Sequence, residues 1–155
     1  MYDVRKMTID DAVLEKIADT QSTYDFKKES GGILVGLFDA KLDAIRITDM
    51  SFPFPTDQRS RFRFSRKSEG HQEFMDDLWE KSERTKSYFG EWHTHDQDNP
   101  VPSLTDRNTW KRISKQGNNF SQCFFLIIGR KNYKIWTISD ESLAEVEVIR
   151  SGENK

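Results

Sequence analysis

The longest wholly apolar run in the chain is Cys123 to Ile128, and its brevity constrains the fold more than any other feature. A helix needs about 20 apolar residues to cross a bilayer, so an integral membrane protein is excluded. The run reads instead as part of a strand from Gln122 to Gly129, separated by the short turn at Arg130 and Lys131 from a second β-rich stretch, Asn132 to Ile138. With 35% hydrophobic against 32% charged residues, a chain whose apolar residues were small and scattered would lean toward disorder. Here 11 Phe, 4 Trp and 4 Tyr concentrate burial in large side chains, each removing about 150–250 Å² from water. At 155 residues one domain is expected, over about 1–150, with a frayed tail at Ser151 to Lys155.

Periodicity places the remaining elements. Thr8-x-x-Asp11 opens a helix over roughly 9–22, with Ile9, Val13, Leu14, Ile17 and Ala18 at helical spacing. Ile33 to Phe38, bracketed by Gly31, Gly32 and Gly36, and Ala44 to Met50 read as consecutive strands, and Pro53 and Pro55 mark a loop. From Arg59 to Lys67 basic and aromatic residues alternate, as in a strand with one wet face where Arg61 and Arg63 point out together. Its charges suit a solvated edge or the docking of an acidic partner. A second helix runs from Ser68 to about Arg84, with His71, Phe74, Met75, Leu78 and Trp79 on one stripe. Then come a strand from Ser87 to His95, a helix capped by Ser103 that ends near Gly117, and a last strand from Ala144 to Ile149. Helices mixed with strands in this order favour an α/β domain on a mixed sheet flanked by helices.

Charge and cysteine content narrow the function. Twenty-four Lys and Arg against 26 Asp and Glu give a net charge of −2, too balanced for a chain whose main partner is duplex nucleic acid. The lone Cys123 cannot form an internal disulfide, and the N-terminus carries no secretory or transit pattern, so the cytoplasm is the expected compartment. Cys123 heads an apolar strand with no basic partner in sight, an unpromising nucleophile. Gly31-Gly32-x-x-x-Gly36 lacks the Lys-Ser/Thr of a phosphate loop.

Chemistry concentrates between Gly90 and Asp106. His93 and His95 lie two apart at a strand end, so both imidazoles project from one face and can converge on an ion. Asp106, in the first turn of the next helix, can return its carboxylate to that strand end. Two His and one carboxylate make an open zinc site with its fourth position left for water. Singly, these features have blander meanings: two solvent-facing imidazoles, a Ser103-x-x-Asp106 box holding a helix end, a surface carboxylate at Glu29.

Taken together, His93-x-His95, seven residues, Ser103-x-x-Asp106, and Glu29 before Ser30-Gly-Gly-Ile-Leu-Val-Gly36 resemble the JAMM motif of the JAB/MPN metalloprotease family, in its short prokaryotic branch, over about Asp10 to Tyr133. The resemblance implies one zinc per chain held by His93, His95 and Asp106, Glu29 as general base and Ser103 as the stabiliser of the tetrahedral oxyanion. Glu91, which shares strand parity with the histidines, is a rival or support. Asp96 stands where proline commonly follows the second His, leaving the loop path open and Asp96 a conceivable stray ligand.

By the same resemblance the chain is a zinc isopeptidase acting on a protein substrate with an extended C-terminal tail. Gly90-Glu-Trp-His-Thr-His95 is most similar to deconjugating peptidases of CBASS antiphage systems, whose substrate is a nucleotidyltransferase conjugated through its C-terminus. A peptidase maturing a ubiquitin-like or sulfur-carrier precursor, and a non-catalytic scaffold, are the alternatives.

Overall fold

The computed structural model describes residues 6–52, 58–59, 64–65, 68–116, 123–139 and 142–149. In chain order the elements are β1 (Lys6–Ile9), α1 (Asp11–Thr23), β2 (Gly31–Asp39), β3 (Ala44–Met50), β4 (Gln58–Arg59), β5 (Phe64–Ser65), α2 (Ser68–Lys81), β6 (Ser87–Thr94), α3 (Leu104–Gln116), β7 (Phe124–Ile128), β8 (Tyr133–Ser139), β9 (Ser142–Glu145) and β10 (Glu147–Ile149). Eight strands form one mixed sheet in the order β10-β1-β3-β2-β6-β7-β8-β9. The expected α/β domain on a mixed sheet is therefore present.

The five residues of β7 are all buried, because side chains on both of its faces meet a core. Phe124, Leu126 and Ile128 join Val13 and Ile17 of α1 and Ile45 and Ile47 of β3 on one side. Phe125 and Ile127 join Trp110 of α3 and Trp136 of β8 on the other. Trp110 stacks on Phe125 at 4.8 Å between ring centroids and on Trp136 at 5.8 Å, anchoring α3 to the sheet.

The order of the strands forces the sheet to curl. Laid flat, eight strands would set β10 and β9 about 33 Å apart. Only Val146 separates Glu145 from Glu147, a span of about 7 Å. The two edges therefore approach each other, with the buried Val146 donating its N–H to the Ile135 carbonyl at 2.9 Å. The single strand expected over Ala144 to Ile149 is thus two strands serving opposite edges.

Three other expectations are corrected. Thr8 does not cap α1: it lies in β1, which pairs with β3 and β10 and buries Met7 and Ile9. Asp10 is the N-cap, and its carboxylate is bound instead by Arg46, whose Nε and Nη2 donate to it at 2.7 and 3.0 Å. α2 stops at Lys81, short of Arg84, because Glu83 and Arg84 adopt φ of 56° and 69° and the Arg84 N–H turns back to the Trp79 carbonyl at 2.7 Å. Trp79 is correspondingly exposed, under the Arg84 guanidinium. Finally, Arg59 to Lys67 is not one strand, since Arg59 pairs antiparallel with Phe64 and Gln58 with Ser65. Pro53, Pro55, Arg61, Arg63, the His71 side chain, Gly117, Gln122 and the tail at Ser151–Lys155 lie outside the described residues.

Gly90 sets how closely β6 approaches β7. Its φ is +141°, and a Cβ there would lie 1.7 Å from the Phe124 carbonyl oxygen. Gly90→Ala is expected to destabilise the fold by on the order of 3 kcal/mol or more, since backbone strain and overpacking add. A denaturant midpoint unchanged from wild type would contradict this.

Candidate metal centre

β6 runs parallel to β7 and antiparallel to β2, with His93 opposite Ile127 and Gly31. The period of two puts His93 and His95 on one face, as the sequence predicts; the structure turns that face toward Trp110 of α3, with Trp92 and Thr94 buried on the other. Past the last strand pair the ladder continues: Thr94 N–H donates to the Ser30 carbonyl at 2.9 Å, and Ser30 N–H donates to Thr94 Oγ1 at 2.9 Å. This brings Glu29 level with His95, with Glu29 Oε1 3.7 Å from His95 Nε2.

α3 supplies the third donor. Asp106 and Trp110 are four residues apart and share a helix face, so anchoring Trp110 in the core turns Asp106 over the end of β6. Ser103 caps the helix: its Oγ accepts the Asp106 N–H at 3.0 Å, and Asp106 Oδ2 accepts the Ser103 N–H at 2.8 Å. This reciprocal box fixes the carboxylate. The capping reading of Ser103-x-x-Asp106 and its proximity to the histidines thus hold at once.

The Nε2 atoms of His93 and His95 lie 3.1 Å apart. Asp106 Oδ1 is 3.3 Å from the first and Oδ2 is 3.2 Å from the second. A tetrahedral ion bonded to two imidazoles at about 2.0–2.1 Å would set their nitrogens about 3.3 Å apart, so the donor set has the chemistry and spacing to hold zinc. Burial works against charge on Asp106, but hydrogen bonds from His93 and His95 overcome it and hold the carboxyl far below the usual range. For His95, burial lowers basicity, yet the hydrogen bond to Asp106 and the charges of Asp106 and Glu29 leave its pKa raised.

The remaining candidates are placed as follows. Glu91 sits opposite Ile33 and Phe125, one register step inside His93 and on its face. The Cys123 thiol is buried and pushed up to about 12, by burial first and by the Glu91 charge second, so it stays protonated at neutral pH. Asp96 is engaged by Arg130, whose Nε donates to its Oδ1 at 2.7 Å. The Arg130 N–H also donates to the Gln97 carbonyl at 2.7 Å, so the β7–β8 turn holds the loop after His95. Asp96→Ala is expected to keep full metal content and to cost at most about 1 kcal/mol, the range of an exposed ion pair. Metal analysis with a melting curve checks both, and a stoichiometric loss of metal would make Asp96 a ligand.

Gln97 was not singled out by any sequence pattern. Its Oε1 lies 3.3 Å from His95 Nδ1 and accepts the Val101 N–H at 3.1 Å.

A mixed sheet bearing a His-His-Asp group at the end of β6, with a glutamate beside it, defines the class. The chain belongs to the prokaryotic homologues of the JAB domain, whose family model matches residues 11–139. It is 33% identical over 139 residues to a Vibrio cholerae protein named CD-NTase/cGAS isopeptidase, covering 90% of this chain and 86% of that one. Proteins of the same name from Pseudomonas aeruginosa and Escherichia coli are 33% and 34% identical, covering 77% and 80% of this chain and 74% and 75% of theirs. The solution structure of a Desulfitobacterium hafniense protein shares the fold at a TM-score of 0.67 and 20% identity, over 94% of this chain and 92% of that one.

Proposed function

We propose that this chain is a zinc-dependent isopeptidase that releases a protein's C-terminal tail from the amine to which it is conjugated. The convergence of His93, His95 and Asp106, with Glu29 3.7 Å from His95, carries the reading. Relatives named CD-NTase/cGAS isopeptidase favour a nucleotidyltransferase tail, in an antiphage setting, over a ubiquitin-like precursor. We assign the whole activity to one domain spanning about 1–150. The balanced charge and the buried free thiol suit a cytoplasmic protein with no nucleic-acid partner. Among the described residues no helix is long and apolar enough to cross a membrane.

On this reading His93, His95 and Asp106 hold one zinc ion. When bound, zinc supplies a Lewis acid for the scissile carbonyl and lowers the pKa of a water toward ~7. The Glu29 carboxylate takes the proton from the attacking water and returns it to the departing amine. The Ser103 oxygen already accepts from the Asp106 N–H, which leaves its hydroxyl hydrogen to donate to the carbonyl oxygen as charge develops there. Glu91 supports the strand end.

Purified protein should carry about one zinc per chain and cut a nucleotidyltransferase C-terminal tail joined to lysine. Fusing one tail to two unrelated partners should leave the rate unchanged, while altering the last residues of the tail should lower it. A zinc-loaded chain that cleaves no tail would point to a scaffold, and equal zinc in wild type and the His93→Ala/His95→Ala double mutant would remove the metal assignment.

A further inference from the structure

The zinc reading leaves open what keeps His95 in the form that can bind. A neutral imidazole carries its proton on one nitrogen or the other, and only the nitrogen without it can ligate a metal. Both Nε2 atoms must present lone pairs to the shared space beside Asp106, which requires the proton of His95 to reside on Nδ1. Nδ1 faces Gln97 Oε1 at 3.3 Å. The same oxygen accepts the Val101 N–H at 3.1 Å. That second bond fixes which end of the amide points inward, since the flipped amide would set its NH2 group against another N–H donor.

The backbone of Gln97 is itself held at both its N–H and its carbonyl. Its N–H donates to the His95 carbonyl at 2.8 Å, and its carbonyl accepts the Arg130 N–H at 2.7 Å. Gly129 lets the turn come this close, since a Cβ at that position would lie 2.6 Å from the Gln97 carbonyl oxygen. The Gly129 carbonyl in turn accepts Gln21 Nε2 of α1 at 3.1 Å. An unbroken set of contacts therefore runs from α1 through the β7–β8 turn to the imidazole.

We propose that Gln97 is a positioning residue for the metal centre, its side-chain oxygen holding His95 in the Nδ1–H tautomer so that Nε2 is left to bind zinc. This rests on the zinc reading above and adds to it a residue outside the His-His-Asp set. Partners that orient a ligand from behind are typically worth 10–100-fold in metal affinity.

Zinc affinity of the full chain, measured by competition with a chromophoric chelator, tests this in wild type, Gln97→Met and Gln97→Glu. Gln97→Met keeps the length and removes the acceptor, and should bind zinc at least tenfold more weakly. Gln97→Glu restores an acceptor and should recover wild-type affinity or better. In the zinc-loaded wild type the His95 Nδ1–H proton should be visible by NMR as a slowly exchanging ring N–H, and it should be lost in Gln97→Met and regained in Gln97→Glu. Unchanged affinity and an unchanged Nδ1–H signal in Gln97→Met would overturn the role of Gln97 alone. No zinc binding by wild type would overturn the metal reading and this inference with it. Should Gln97→Met fail to fold, the absence of a protected Nδ1–H signal in wild type would decide against the proposal.

Discussion

Replacing Glu29 by glutamine is expected to leave zinc content at the wild-type level while slowing cleavage by about 10²–10⁴-fold, the contribution of a positioned general base. Glutamine keeps the shape of the side chain and its capacity to accept hydrogen bonds, but it cannot take a proton from water. The neighbouring Ser30 is pinned in both directions to Thr94 by 2.9 Å hydrogen bonds, so the backbone at residue 29 has little reason to move. Zinc content by metal analysis and turnover on a lysine-linked tail are the two measurements. Near-normal turnover would transfer the role of base to Glu91, and a parallel Glu91→Gln variant separates the two carboxylates.

Asp106→Ala should lose most of the zinc, and it should also weaken the fold. The carboxylate is shared between the imidazoles and the Ser103 N–H, so truncation removes an anionic donor and half of the helix cap together. Loss of a cap costs about 1 kcal/mol. Asp106→Asn separates the two effects, because its side-chain oxygen can still accept the Ser103 N–H while the negative charge is gone. Its metal-free melting temperature should fall between those of wild type and Asp106→Ala, because the cap is kept while the attraction of the carboxylate for the two imidazoles is lost, with zinc binding still impaired. Metal-free Asp106→Ala should melt lower than either. Full zinc occupancy in Asp106→Ala would remove Asp106 from the donor set.

What could be read from sequence depended on the range of the contacts involved. A period of two put His93 and His95 on one face, and the Ser103 cap marked the start of α3, from whose first turn Asp106 could return to the strand end. Both features are local. β1 went unseen because its four residues run straight into α1, and Thr8 resembles a cap until the pairing of Met7 with Ile45 is known. The split between β9 and β10 was invisible for a similar reason: Ala144 to Ile149 is continuous in hydropathy, and only the distant strands β8 and β1 decide which residues go where. Glu29 gained meaning only through the resemblance to the JAMM motif, since nothing about an isolated glutamate predicts a strand ladder reaching His95. Gln97 left no trace, because its position is set by Gly129 and Arg130 on a different hairpin.

The curled sheet also bears on the order in which the protein can be made. Lys6 lies opposite Glu147, so the first described strand waits for nearly the whole chain before its outer partner exists. Synthesis runs from the N-terminus, and while the chain is emerging β1 can pair only with β3. Every group proposed to act on substrate lies between Glu29 and Asp106 and leaves the ribosome well before β10. A released chain that ended near residue 140 would thus carry His93, His95 and Asp106 on a sheet still open at one seam. The three residues of β10 act as a late clasp: they contribute nothing to the site, yet they complete the wall at whose far side it stands.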